Sequence, residues 1–371
     1  MKIRTLAAAF ALAACTTSES ENPNGPKFAD GDTAYCITLG ADYKNNVATM
    51  AAVALPSRTV TKALLPGAAV SDPVLRAEGG KLYVVNRSAN SITVVDTESW
   101  TVQEQFSTGA GSNPQDVAVT GSKAYVAAYG TGSIQVWSLG TKAQAPAKTI
   151  DLSSYDPDGV PNANSMVIAG GRAYVTLDLL DTQTFPQPRG NGKIVVIDTQ
   201  TDDVVTAFDL TYTNPYGFMF PRGDGLVVAT QADFGGVDGC VEQIATGSTP
   251  GLSPCLVKNG DLGGTVSAIA LGTNAMYLAV TAFDTSFNET AKIRQITSAG
   301  TLMPDSMTPA GEVPTDVAFA PSGQLVYGDQ TTSASGGLRV YDLATQKEVT
   351  TAPLDIGLVP VAQNGIVCLP R

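Results

Sequence analysis

Histidine is absent from all 371 residues. With it go the commonest general base and the commonest metal ligand, so Ser-His-Asp catalysis, His-ligated haem and His-containing zinc sites are excluded. Charge is also scarce, at 15% of residues, and basic charge scarcest: 22 Lys and Arg stand against 34 Asp and Glu, leaving a formal net charge of -12. Such a surface repels phosphate backbones, and no Lys/Arg cluster is present to neutralise several of them, so nucleic acid is not an expected partner. What the chain has in quantity is Gly (37), Pro (22) and apolar residues (43%). That mixture favours many short strands joined by tight turns over charged helices, and an all-β fold is the first expectation. The length would hold two or three average domains, yet closed all-β architectures spend as much on one, so the domain count must come from repeats.

The N-terminus carries Lys2 and Arg4, followed by an apolar, small-residue stretch from Leu6 to Ala14. This stretch is far shorter than the roughly 20 residues that span a bilayer, and it has the layout of a signal peptide. Its end, Leu12-Ala13-Ala14-Cys15, resembles the bacterial lipobox. That resemblance implies cleavage before Cys15 and acylation of its thiol and new amino terminus, with palmitate-type chains that each contribute about 0.8 kcal/mol per buried CH₂. Thr16 to Lys27 is rich in Ser, Glu, Asn, Pro and Gly and reads as a flexible tether. Thr16 stands where an Asp would favour inner-membrane retention in a Gram-negative host, so the outer membrane is the expected address. The chain therefore divides into a signal peptide (1-14), a tether (15-27) and a folded part (28-371).

Within the folded part a unit of about 40 to 50 residues recurs. Lys81-Leu82-Tyr83-Val84-Val85-Asn86, Ser91-Ile92-Thr93-Val94-Val95-Asp96-Thr97 and Asn113-Pro114-Gln115-Asp116-Val117-Ala118-Val119 show it most clearly. The Tyr-Val signal returns at Tyr125-Val126 and Tyr174-Val175, and looser copies lie around Val227, Tyr277 and Tyr327. These stretches resemble the Tyr-Val-Thr-Asn (YVTN) family of propeller repeats of surface-layer and periplasmic proteins, related in fold to lactonase-type propellers. The resemblance implies a seven-bladed β-propeller of four-stranded blades, six of them internal copies. The seventh forms where the ends meet: Thr33 to Ile37, Val47 to Pro56 and Thr59 to Leu65 supply three strands, and Gly365 to Leu369 the missing innermost one. Closure of the ring removes exposed strand edges.

With Cys15 assigned to lipid, four cysteines remain in an exported chain, and three pairings are open. In the ring, Cys36 and Cys368 fall on adjacent strands of the closing blade, which predicts a Cys36–Cys368 bridge. Cys240 and Cys255 then pair across the hairpin loop from Thr246 to Pro254. No Cys-x-x-Cys spacing supports a metal reading.

Propeller ligands bind where the loops before the innermost strands converge. The alignment of repeats puts Asp116, Ser165, Tyr216, Ser267 and Asp316 at the starts of five such strands, with Asn113, Asn162 and Asn214 just upstream. Two carboxylates there suit a cation or acid–base work, while Asp in Pro-x-Asp-Val-Ala also suits a structural role, bonding backbone donors where blades meet. Asp156-Pro157-Asp158-Gly159 and Asp30-Gly31-Asp32 carry the first carboxylates of a calcium loop without continuing it, and turn chemistry explains both equally. Two insertions, Asp178 to Gly192 with Phe185 and Arg189, and Ala232 to Asp261 with Phe234, add groups of the kind that anchor contacts. The functional expectation is a monomeric, envelope-tethered propeller without cofactor that binds a protein, peptide or glycan. The alternative is a histidine-free, metal-assisted lactonase-like hydrolase with its site at the channel mouth.

Overall fold

The computed structural model describes residues 22–181, 187–231, 237–283, 286, 288–308, 311–331 and 336–371. The signal peptide, Cys15, Phe185 and Phe234 lie outside the described residues. Seven antiparallel sheets, six of four strands and one of five, are arranged as the blades of a propeller. Blade 1 is closed by both chain ends, and blades 2 to 7 follow in chain order. Their innermost strands are Pro73–Glu78, Pro114–Thr120, Ala163–Ala169, Pro215–Arg222, Thr265–Leu271 and Pro314–Ala320. No helix among the described residues is long and apolar enough to cross a membrane.

Period-two alternation explains why the blades stack. In the second strand of blade 2, Lys81–Asn86, the side chains of Leu82 and Val84 pack toward blade 1, whereas Tyr83 and Val85 pack toward blade 3. Each blade is thus apolar on both faces, and neither face is covered until a neighbour arrives. The core accordingly consists of seven apolar clusters, one at each junction between adjacent blades. The recurrent Tyr adds a polar bolt to the apolar stack. Tyr125 donates its hydroxyl proton to Asp202 in the third-to-fourth-strand turn of blade 4, and Tyr174 donates to the Thr246 carbonyl in the matching turn of blade 5. The Asp ending the third strand holds its own turn: Asp96 accepts the Ser99 N–H, Asp198 that of Gln200 and Asp342 that of Thr345.

Ring closure follows the expected scheme. Ile366–Pro370 pairs antiparallel with Ala34–Asp42, with Cys36 opposite Cys368, and the two are disulfide-bonded. The second bridge joins Cys240 and Cys255 across the hairpin of Cys240–Ala245 and Gly251–Lys258. Val359–Pro360 adds a short pairing against Gly40 and Ala41, which makes this the five-stranded sheet.

Candidate functional site

Seven innermost strands surround a central channel of about 630 Å³. Its wall is mainly apolar, with Val117, Met166, Phe218, Ile269, Val317 and Ile366 each from a different blade. One guanidinium crosses it. Arg76, on blade 2, bonds both carboxylate oxygens of Asp116 on blade 3, at 2.7 and 2.5 Å. Its Nη2 also reaches Ser165 Oγ and the Met166 carbonyl on blade 4, and its Cζ sits 3.6 Å from the centroid of the Phe218 ring on blade 5. A cation over an aromatic face and a bidentate carboxylate together hold this group in place.

The five candidate residues at the starts of the innermost strands divide into two groups. Asp116, Ser165 and Asp316 join adjacent blades. Asp116 Oδ1 accepts the N–H of Val117 and its Oδ2 that of Met166 in the next blade, both within 2.8 Å. Asp316 repeats the pattern, with Val317 on Oδ1 at 2.9 Å and with Gly365 and Ile366 of the closing strand on Oδ2 at 2.7 and 3.0 Å. Ser165 Oγ accepts the Met219 N–H of blade 5 at 2.7 Å. In both Pro-x-Asp segments the residue between is a β-bulge, which turns the carboxylate toward the next blade. Burial pushes Asp316 up to about 7, against the pull of the backbone N–H groups of Gly365, Val317 and Ile366.

Tyr216 and Ser267 do something else. They line a second cavity, of about 150 Å³, on the face where the innermost strands begin, between blades 5, 6 and 7 and the segment leading into the closing strand. It shares no lining residue with the channel. Burial raises the Tyr216 phenol above its ordinary range, with the Gln363 side chain bonded to it. Gln231, Thr315, Phe283 and Glu289 complete the important walls, and none had a sequence signal that set it apart from ordinary loop or strand-end residues. Phe283 and Glu289 are exposed cross-strand partners at the rim. Gln231 is 4% exposed, and its backbone is pinned by bonds with Thr213 and Asn214. Its amide nitrogen has no partner among the described residues, and neither has the buried Thr315 hydroxyl.

The carboxylate turns are occupied by protein groups. Arg189, from the blade 4 insertion, bonds Asp156 at 2.7 Å, Asp158 at 3.0 Å and Asp181 at 3.3 Å, so a guanidinium sits where a calcium loop would need its ion. Asp32 accepts the N–H groups of Ala29 and Ser57 and the Ser57 hydroxyl, which is turn chemistry. Of Asn113, Asn162 and Asn214, the Asn162 carboxamide caps Leu180 N–H. All three have positive φ, the left-handed conformation that Asn tolerates, at the corners entering the innermost strands. Among the described residues no group of three or more carboxylates or thiols is arranged to hold a metal ion.

No family model and no curated protein matches the chain. Solved structures do. A Bacteroides uniformis protein assigned as a 6-phosphogluconolactonase superposes with a TM-score of 0.60 at 16% identity, covering 91% of this chain and 99% of that one. AztD from Citrobacter koseri gives 0.53 at 14% identity over 91% and 98%. The dihydro-haem d1 dehydrogenase NirN gives 0.54 at 16% over 92% and 78%. The likeness is one of fold. Function must be argued from the site.

Proposed function

We propose that this chain is a ligand-binding propeller, held at the cell envelope by a lipid on Cys15, that recognises a glycan, peptide or protein and does not turn it over. The observation that carries this reading is the commitment of the mouth carboxylates: Asp116 and Asp316 each accept backbone N–H groups from their own and the following blade. Acid–base work or metal binding would break bonds that join the ring. The groups that line the smaller cavity on this face are an amide, hydroxyls and aromatic rings, with Glu289 as its one carboxylate. Residues of this kind recognise ligands without transforming them.

A specific observation favours a second reading. Asp316 borders the central channel and is pushed to about 7 by burial, the range in which a general acid or base operates. Together with the fold likeness to a protein assigned as a 6-phosphogluconolactonase, this supports a lactone hydrolase. Against it, a phosphorylated substrate needs a free cation, and Arg76 is already bound to Asp116.

The test captures the full-length lipoprotein on liposomes and passes peptidoglycan fragments, oligosaccharides and peptides over it, with mass spectrometry of the recovered analyte. Saturable binding with the analyte recovered intact is expected, and loss of liposome capture in Cys15→Ser. Chemically altered analyte would contradict the binding reading, and undiminished capture of Cys15→Ser would contradict the anchor.

A further inference from the structure

Two cavities meet different chemical needs. The channel is mainly apolar, and the one guanidinium on its wall is engaged by Asp116, Ser165, the Met166 carbonyl and the Phe218 ring. The smaller cavity is unsatisfied. Gln231 is nine-tenths buried and more, its main chain is fixed, and its amide nitrogen meets no acceptor among the described residues. A buried donor left without an acceptor keeps its full desolvation penalty, and a ligand acceptor would remove it. The terminal torsion of Gln is broad, so the amide can turn into the cavity without disturbing the backbone. Thr315, also in the wall, repeats the situation at the bulge whose counterpart in blade 3, Gln115, is engaged with Asn113 and Arg87.

We propose that this cavity binds one neutral sugar ring. The inference rests on the binding reading above and names its ligand class. Four properties of the wall select that class. First, it carries both donors and acceptors: the Gln231 amide, the hydroxyls of Ser267, Thr281 and Thr315, the Tyr216 phenol and the Glu289 carboxylate. Vicinal hydroxyls, each both donor and acceptor, match such a wall. Second, Phe283 at the rim is 44% exposed and offers an apolar face to the C–H side of a pyranose. Third, neither Lys nor Arg lines the cavity, and Glu289 sits at its edge, so phosphate and carboxylate ligands are repelled. Fourth, about 150 Å³ is half the lower end of the range for drug-sized ligands, enough for one ring but not for a dinucleotide or an extended peptide. The ring is either a free monosaccharide or the terminal residue of a longer glycan.

The experiment is saturation-transfer NMR on the full chain, in a detergent without a sugar headgroup. The probes are methyl glucoside, methyl galactoside, N-acetylglucosamine, an oligosaccharide of whichever binds, and glucose 6-phosphate. At least one neutral sugar should bind saturably. Gln231→Leu and Phe283→Ala should each weaken it about tenfold, the worth of one good hydrogen bond or apolar contact. Phe283 is exposed, so its variant should keep the wild-type melting temperature, which guards against a folding artefact. The phosphate ester should bind at least tenfold more weakly than the best neutral sugar. An oligosaccharide that binds more tightly than its monomer identifies a glycan terminus, and equal affinity identifies a free sugar. Absence of binding by every neutral sugar, binding unaffected by both variants, or a phosphate ester that binds as well as the neutral sugars would each overturn the assignment. A sugar that binds and emerges altered would keep the site and sink the non-catalytic reading. A peptide or protein that binds while no sugar does would keep that reading and sink the sugar site.

Discussion

Two junctions of the ring use the same tripeptide logic with different electrostatics. Between blades 3 and 4, Asp116 bonds the next strand and is also paired with Arg76, so its charge has a partner. Between blades 7 and 1, Asp316 bonds the closing strand through N–H groups alone, and burial drives it up to about 7. The first junction lies within a continuous chain. The second joins the two ends of the chain and is reinforced by the Cys36–Cys368 bridge. The lesson is that one local motif fixes the geometry of a blade contact, while the neighbouring blade decides whether the carboxylate also meets a cation.

Breaking the covalent part of the closing junction should have the largest effect. Replacing Cys36 and Cys368 by Ala opens a loop spanning 332 residues, for which the chain-entropy model gives a loss of roughly 6 kcal/mol, against roughly 3 kcal/mol for the local Cys240–Cys255 pair. Guanidinium unfolding of the two double variants measures both, and an equal or larger loss from the local pair would show that closure is not held there. Next comes Asp116→Ala, which strands the Arg76 guanidinium in a site where its side chain is 17% exposed. A loss of about 3–5 kcal/mol is expected, partly recovered in Asp116→Ala/Arg76→Met because the second change removes the orphaned charge. Asp316→Asn keeps one acceptor but turns an amide N–H₂ toward the N–H groups of Gly365 and Ile366, for a smaller loss of about 1–3 kcal/mol.

The smallest effect is the most diagnostic. Burial raises Asp316 and Glu312 to about 7 and also raises Asp178 well above the ordinary carboxylate range. A carboxyl group whose folded pKa lies above its unfolded value contributes stability that is fully present below the unfolded pKa and lost as pH rises through the folded one. The melting temperature should therefore fall by a few degrees between pH 5 and pH 8, and Asp316→Asn should flatten part of that slope. A slope of opposite sign, or one that Asp316→Asn does not alter, would undo the contrast between the junctions.

The architecture was legible because its signals are local. Tyr-Val strands, the Asp that ends the third strand in three blades and the Pro-x-Asp segments all announce themselves within a few residues. Cys36–Cys368 followed once the ends were recognised as neighbours. A structural role for the Pro-x-Asp carboxylates was legible, but the partner across the junction was not, because the N–H group that Asp116 Oδ2 accepts belongs to Met166, 50 residues later. Arg76 gave no warning either, since one charge in an alternating strand reads as solvent-facing. Likewise the paired aspartates at Asp156 and Asp158 were visible, but the cation that answers them, Arg189, arrives from an insertion 33 residues beyond Asp156. Gln231 and Thr315 are ordinary polar residues at strand boundaries, and only their missing partners single them out.

The central claim is that the mouth carboxylates belong to the frame of the ring and not to a catalytic site. The most direct test is the initial rate of hydrolysis of glucono-lactone and its 6-phosphate by the full chain near pH 6.5, with and without added divalent cations, alongside Asp116→Asn and Asp316→Asn. The account expects rates equal to buffer alone in every case. A protein-dependent rate that disappears with either substitution in a folded variant would contradict it.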